Sequence, residues 1–293
     1  YYNTLSTNTL TATISENGKT LAKKSVATVE GMPVVIPFRN FKTWSPEEPN
    51  LYDVEYVIRD KEGNIVDRIK SYLGMRKIHV DGNRIYLNNQ PYYQRLVLDQ
   101  GFYPDGNWTA PSDKALRRDI ELSKAVGFNG ARLHQKVFEE RFHYWADKLG
   151  YLCWGEYASW GIDEKSPIAA RNFLPEWGNI IIRDRNHPSI VVWTPFNEVW
   201  WPDNVQYPRL VEDTYKLTHA LDPTRPVNSV SGGVLTPFYD ICCMHNYEQD
   251  PAKLKEIIYN GGKLFNMPSY TKTPTISSGN VPTGDMLDKA PLQ

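Results

Sequence analysis

Asn197 and Glu198 stand side by side just beyond an apolar run, Ile190–Thr194, with Trp193, Trp200 and Trp201 around them. A carboxyl group can give and take a proton, an amide can hold a hydroxyl, and an indole can lie against an apolar ring face. Residues of the same kind follow other short apolar runs: Asp99-Gln100, then Arg132 and His134, then Glu156, then His245-Asn246-Tyr247. If those runs are strands whose ends meet, carboxylates, amides, imidazoles and indoles converge on one mouth. That mixture suits a polyhydroxylated ligand. Metal chemistry is not expected: there is no CxxC and no HExxH, and the six His are scattered. No cofactor motif is present either. Cys153, Cys242 and Cys243 are an odd, sparse set in apolar runs, which reads as buried free thiols rather than a disulfide framework.

The elements that must position these groups fall into two patterns. Up to about position 81 the chain reads as β. Leu10–Ser15 is strand-like and is followed by Glu16-Asn17-Gly18-Lys19, a tight-turn signal. Leu51–Ile58 alternates apolar and acidic residues, Asp60–Asn64 turns the chain, and Ile65–Leu73 returns it. An antiparallel immunoglobulin-like β-sandwich over residues 1–81 fits, although it is shorter than the ~100 residues of a full one, so a start inside a longer protein is expected.

From 82 to 293 strands alternate with helices, the mark of a parallel α/β sheet. The candidate strands are Tyr93–Leu98, Asn129–Leu133, Tyr151–Trp154, Ile190–Thr194, Val227–Val230, Ile241–Met244 and Thr275–Ser277. Helix ends are marked: Ser112 can cap a helix stopping at Gly127, Gly150 can end one lined by Phe138, Phe142, Trp145 and Leu149, and Pro251 suits a first turn. No GxGxxG follows the first strand, which points to a (β/α)8 TIM barrel; a doubly wound sheet stays open on pattern alone. An eighth strand is not recognisable, and the segment is short of the ~250 residues typical of that fold. Hydrophobic residues make up 41% and charged residues 23%, enough for a large core, while a net charge of −1 gives no reason to expect nucleic acid or an anionic membrane as partner. No apolar run approaches the ~20 residues of a bilayer span.

The run Asp184-Arg185-Asn186-His187-Pro188 through Trp193-Thr194-Pro195-Phe196-Asn197-Glu198 closely resembles the acid/base signature of glycoside hydrolase family 2, the family of β-galactosidases and β-glucuronidases. Trp44-Ser45-Pro46, Pro49-Asn50-Leu51-Tyr52 and Gly74-Met75-Arg76 resemble that family's immunoglobulin-like domain. Leu87-Asn88-Asn89-Gln90-Pro91 resembles the hairpin entering its barrel, and Asn129-Gly130-Ala131-Arg132 its second-strand motif. The resemblance implies a retaining exo-β-glycosidase, in which one carboxylate attacks the anomeric carbon and another protonates the leaving oxygen. It makes Glu198 the general acid/base, with a pKa raised toward ~6–7. It gives Asn197 the sugar 2-hydroxyl, Tyr247 the orienting of the nucleophile, and Arg132 the steadying of the site's charge. His134, Glu156, His245, Asp99 and Trp201 complete the expected substrate-binding set. A carbohydrate is the expected partner; oligomeric state stays open, and family habit places such enzymes in the bacterial periplasm or cytoplasm.

The chain departs from the family in two ways: Arg132-Leu133-His134 is followed by Gln135-Lys136, not by the Tyr-Pro often found there, and the strand-seven segment differs. The nucleophile of the family is a Glu at the end of strand seven, and here Thr273-Pro274-Thr275-Ile276-Ser277-Ser278-Gly279-Asn280 puts Ser278 in its place. Serine cannot stand in for that carboxylate without a base beside it. This chain alone is therefore expected to be inactive or nearly so. Other readings stay open: a sugar-binding relative without turnover, or a scaffold or adhesion module. Arg132 with Glu156 also reads as a structural ion pair, and Asp99 as a loop cap.

Overall fold

The computed structural model describes residues 7–199, 204–233, 236–243 and 245–259. By internal contacts the chain divides into two units, Tyr1–Arg76 with Asn186–Pro188, and Lys77–Arg185 with Ser189–Gln293.

The first unit contains a four-stranded antiparallel sheet of β1 (Thr9–Glu16), β2 (Lys19–Ala27), β3 (Tyr52–Arg59) and β4 (Ile65–Leu73), in the order β2-β1-β3-β4. The turn between β1 and β2 is the expected one: Asn17 and Gly18 both have positive φ, 51° and 78°, which a two-residue hairpin needs. Leu10, Ala12 and Ile14 of β1 pair with Ile58, Tyr56 and Val54 of β3, and all three β1 side chains are buried. Trp44 is fully buried, and its N–H donates to the Met75 carbonyl at 2.7 Å. The run Val34–Phe38 forms no strand.

The second unit opens with β5 (Ile78–Asp81), β6 (Arg84–Leu87) and β7 (Gln90–Pro91), an antiparallel sheet in chain order. Because β5 pairs with β6 along its whole length, it belongs with the residues after it, and the units part at Arg76/Lys77 instead of after residue 81. Then follow β8 (Leu96–Asp99), α1 (Asp113–Ala125), β9 (Gly130–Leu133), α2 (Glu140–Leu149), β10 (Leu152–Glu156), α3 (Pro167–Asp184), β11 (Ile190–Thr194), β12 (Phe196–Asn197), α4 (Gln206–Leu221), β13 (Val230–Ser231) and α5 (Pro251–Tyr259). Strands β8, β9, β10 and β11 are parallel neighbours in sequence order. The order continues: Val227 bridges Trp193, β13 pairs with β12, and Cys243 bridges Ser231, all in parallel. A doubly wound sheet must reverse its order at a switch point. No reversal occurs among the described residues, and the sheet is of the barrel kind.

Helix ends follow the sequence signals. Ser112 Oγ accepts from Ala115 N at the start of α1, and Gly150 ends α2 in the left-handed region. The first barrel strand begins at Leu96, later than expected, because the N–H of Arg95 is taken by the Asn129 side chain at 2.7 Å. One core joins strands and helices. Trp193, which flanks the site in sequence, is fully buried wall: it meets Trp177 edge-on at 5.7 Å and donates to Asp222 at 2.9 Å. Its ring lies where a Cβ on Gly155 would stand, 2.6 Å away, so only glycine fits there. All three cysteines are buried free thiols. No helix among the described residues is long and apolar enough to cross a membrane. The expected strand Thr275–Ser277, with Ser278, lies outside the described residues.

Candidate active site

Parallel strands point their carboxyl ends the same way, so the residues closing β8, β9, β10, β12 and β13 face one mouth. At its centre the backbone of Asn197 and Glu198 is pinned by three hydrogen bonds. The Asn197 N–H donates to Ser159 Oγ at 3.2 Å, the Asn197 carbonyl accepts from Trp160 Nε1 at 3.1 Å, and the Glu198 N–H donates to the Ser231 carbonyl at 2.9 Å. They hold Glu198 at φ 50°, a left-handed conformation that costs a non-glycine residue on the order of 1–2 kcal/mol.

Arg132 and Glu156 form the buried floor. Arg132 Nε and Nη2 donate to the two oxygens of Glu156 at 2.7 and 3.1 Å, and Nη2 also donates to Asn197 Oδ1 at 2.5 Å. The Glu156 side chain is fully buried and that of Arg132 only 11% exposed. The backbone N–H of Gln135, itself at φ 56°, gives Glu156 a further donor at 3.1 Å. Burial pushes the Glu156 carboxyl above its ordinary range in spite of Arg132. The pair also aims the Asn197 amide: with Oδ1 held by a cation, Nδ2 is left facing Glu198 Oε2 at 3.4 Å.

Glu198 meets His245 and Tyr247 on its other oxygen. His245 Nδ1 lies 2.5 Å and Tyr247 Oη 2.8 Å from Oε1. An ionised carboxylate only accepts, so Nδ1 carries the imidazole proton and Nε2 accepts, from Ser231 Oγ at 2.9 Å and Arg132 Nη1 at 3.3 Å. Burial and the Arg132 charge keep this imidazole below the usual histidine range, opposed by Glu198. His245 is therefore a neutral donor. Burial alone would raise Glu198, but hydrogen bonds from His245, Tyr247 and Asn197 outweigh it and hold the carboxyl below its ordinary value. The expected upward shift is corrected: in this environment the donors favour the charged form. Tyr247, expected to orient a nucleophile, donates here to Glu198 and is otherwise exposed.

His134 is buried, accepts or donates at Nδ1 with Gln100 at 2.9 Å, and is lowered to about 4 by burial and then by Arg132. It lines the same mouth beside Trp160, edge to face at 5.3 Å. Asp99 is not brought into the cluster: its carboxylate accepts from the Gly101 N–H at 2.8 Å and caps the loop after β8. Trp200 and Trp201 lie outside the described residues, as does the strand-seven segment. Sequence reasoning missed Gln135, Ser159, Trp160 and Ser231. The first had a signal, as a departure directly after the second-strand motif; Ser159 and Trp160 lie in a loop and Ser231 in β13, and their spacing says nothing until the strands are paired. No cluster of metal-binding side chains occurs among the described residues.

Comparison with known proteins shows the family and the fold. The model described as "Glycosyl hydrolases family 2, TIM barrel domain" matches residues 78–278, and that described as "Glycosyl hydrolases family 2" matches residues 2–76. Beta-galactosidase 2 of Enterobacter cloacae is 28% identical over 229 residues, 73% of this chain and 21% of that protein. A beta-glucuronidase of Paenibacillus borealis is 26% identical over 256 residues, 79% of this chain and 42% of that protein. Among solved structures, the FMN-binding beta-glucuronidase from Facaelibacterium prausnitzii L2-6 superposes with a TM-score of 0.76 at 22% identity, covering 84% of this chain and 39% of that one. Bacteroides uniformis beta-glucuronidase 2 gives 0.75 at 23%, covering 88% and 35%. At such identities these structures speak for the fold alone. The chain spans between about a fifth and two fifths of the length of the relatives it matches.

Proposed function

This chain belongs to glycosyl hydrolases family 2, and from that premise we propose that its second unit carries the proton-donating side of a retaining β-glycosidase centre, acting on β-galactosides or β-glucuronides. The observation that carries the reading is Glu198 at the mouth of the parallel sheet, with His245 and Tyr247 on one oxygen and the Asn197 amide beside the other.

Two donors occupy Oε1, so the transferable proton belongs on Oε2, which among the described residues meets the longer bond from Asn197. Glu198 is ionised in the open site. Burial is already the largest influence on it and acts upward. A sugar closing the mouth adds to that burial, as does any second carboxylate brought near, and both drive Glu198 toward its protonated form when the acid is needed. Protonating the leaving oxygen then lets the glycosidic bond break, and the resulting carboxylate takes the proton from water in the second step. Asn197, its amide fixed by Arg132, offers Nδ2 to a ring hydroxyl. The attacking carboxylate is not identified; the segment where the family carries it has Ser278.

The test is hydrolysis of dinitrophenyl and methyl β-glycosides by the 293-residue chain and by the product of its complete reading frame. A general acid matters most when the leaving group is poor. Glu198→Gln is expected to slow methyl glycosides by about 10²–10⁴-fold and dinitrophenyl glycosides far less. Equal losses on both, or none, remove Glu198 from the role. The 293-residue chain itself is expected to show little turnover.

A further inference from the structure

We propose that Trp160 is a stacking platform for a pyranose ring at this mouth, an inference that rests on the reading of the site as a glycosidase centre. Trp160 follows β10 by a few residues, and its side chain is largely in water, the residue being 56% exposed. An exposed indole is usually loose, but this one is held on several sides. Its Nε1–H donates to the carbonyl of Asn197 at 3.1 Å, its own N–H donates to Gln135 Oε1 at 2.8 Å, and its ring stands edge to face with His134 at 5.3 Å and 86°. Ser159 before it is fully buried and bonded to both Gln135 and Asn197. Trp108, nearly as exposed at 53%, pairs with Phe102 and has no such tie to Asn197 or Glu198.

Fixing a broad apolar face in water gains nothing by itself. It prepares a surface for a ligand that is apolar on its faces and polar at its rim, and a β-pyranoside is such a ligand: its axial C–H bonds form a flat apolar side between hydroxyls. The tether places that surface next to the peptide joining Asn197 to Glu198, so a ring lying on Trp160 has its rim hydroxyls within reach of the Asn197 amide and His134. The indole N–H is consumed by the tether; only the face is on offer.

The experiment is titration of the 293-residue chain with methyl β-D-galactopyranoside and with methyl β-D-glucuronide, followed by calorimetry and by indole N–H resonances. Trp160→Phe keeps a flat face and loses the tether; Trp160→Leu keeps apolar bulk and loses the face; Trp160→Ala loses both. The platform requires Phe to bind within about threefold of the native chain and both Leu and Ala to bind roughly tenfold more weakly, with melting temperatures confirming that all fold. Phe as weak as Leu and Ala would make the N–H tether the whole role. Undiminished binding by Ala, or no binding of either glycoside by the native chain, would equally overturn the platform. A failure of the acid assignment looks different: Glu198→Gln would leave turnover of methyl glycosides intact while the Trp160 variants still lost affinity.

Discussion

Gly232 has no side chain where His245 has its imidazole: a Cβ at position 232 would stand 2.4 Å from His245 Cγ and Nδ1. The ring cannot step aside freely, because Nδ1 is bound to Glu198 and Nε2 to Ser231 and Arg132. Gly232 also sits at φ 70°, where alanine is strained. This glycine, directly after β13, is what allows His245 to reach the carboxylate of Glu198, which follows β12.

Gly232→Ala should therefore act on Glu198 without touching it. Displacing the imidazole removes the foremost donor holding that carboxyl down, so the Glu198 pKa rises. Carbon-detected NMR of the labelled carboxyl reads this directly. The strained φ adds a stability loss of about 1 kcal/mol, visible as a lower melting temperature. An unshifted Glu198 titration would mean that His245 does not govern it.

His134 gives the fold an acid weakness. Its folded pKa is lowered from 6.5 to about 4 by burial and the neighbouring Arg132 charge. Above pH 6.5 the imidazole is neutral folded and unfolded alike. Between 6.5 and about 4 only the unfolded chain takes the proton, so stability falls as pH falls through that window, and below it the effect is complete. His134→Gln should flatten that part of the stability–pH curve relative to the native chain while leaving the slope above pH 7 unchanged. Parallel curves would refute the assignment.

Arg132 and Glu156 should behave as a unit under denaturant. Removing either leaves the other charged and largely buried, which costs about 3–5 kcal/mol. Removing both, as Arg132→Met with Glu156→Leu, should cost much less than the sum of the singles. Additive losses would show two independent side chains instead of one paired floor.

Much of this architecture can be read from residue order, and the reasons are local. The Asn17-Gly18 turn, the Ser112 cap and the Gly150 stop act within a few residues, so their chemistry appears directly in the sequence. Glu198 and Asn197 can be found because a charged helix end, a buried strand and a polar mouth follow one another without interruption. Long-range facts are hidden. How Trp193 is seated in the core depends on Gly155 and Trp177 from neighbouring elements. The direction of the Glu198 shift is not legible in the sequence because it is set mainly by His245 and Tyr247, far along the chain, and no spacing rule gives their distance.

Asn197 links the buried pair to the acid, and one isosteric change tests the link. In Asn197→Asp the oxygen held by Arg132 Nη2 at 2.5 Å becomes part of a carboxylate, a charge-assisted bond that keeps the new group ionised. The other oxygen replaces Nδ2, which faces Glu198 Oε2 at 3.4 Å. Glu198 thus loses a donor and gains a like charge at the same place, and both changes favour its protonated form. Its pKa should rise above that of the native chain, by more than in Gly232→Ala, while the introduced carboxylate itself titrates low. Were the amide turned the other way, with Nδ2 toward Arg132, an oxygen would already face Glu198 and the substitution would add charge without removing a donor. A rise smaller than that of Gly232→Ala would therefore reverse the amide, and with it the route by which Arg132 aims Asn197 at the sugar.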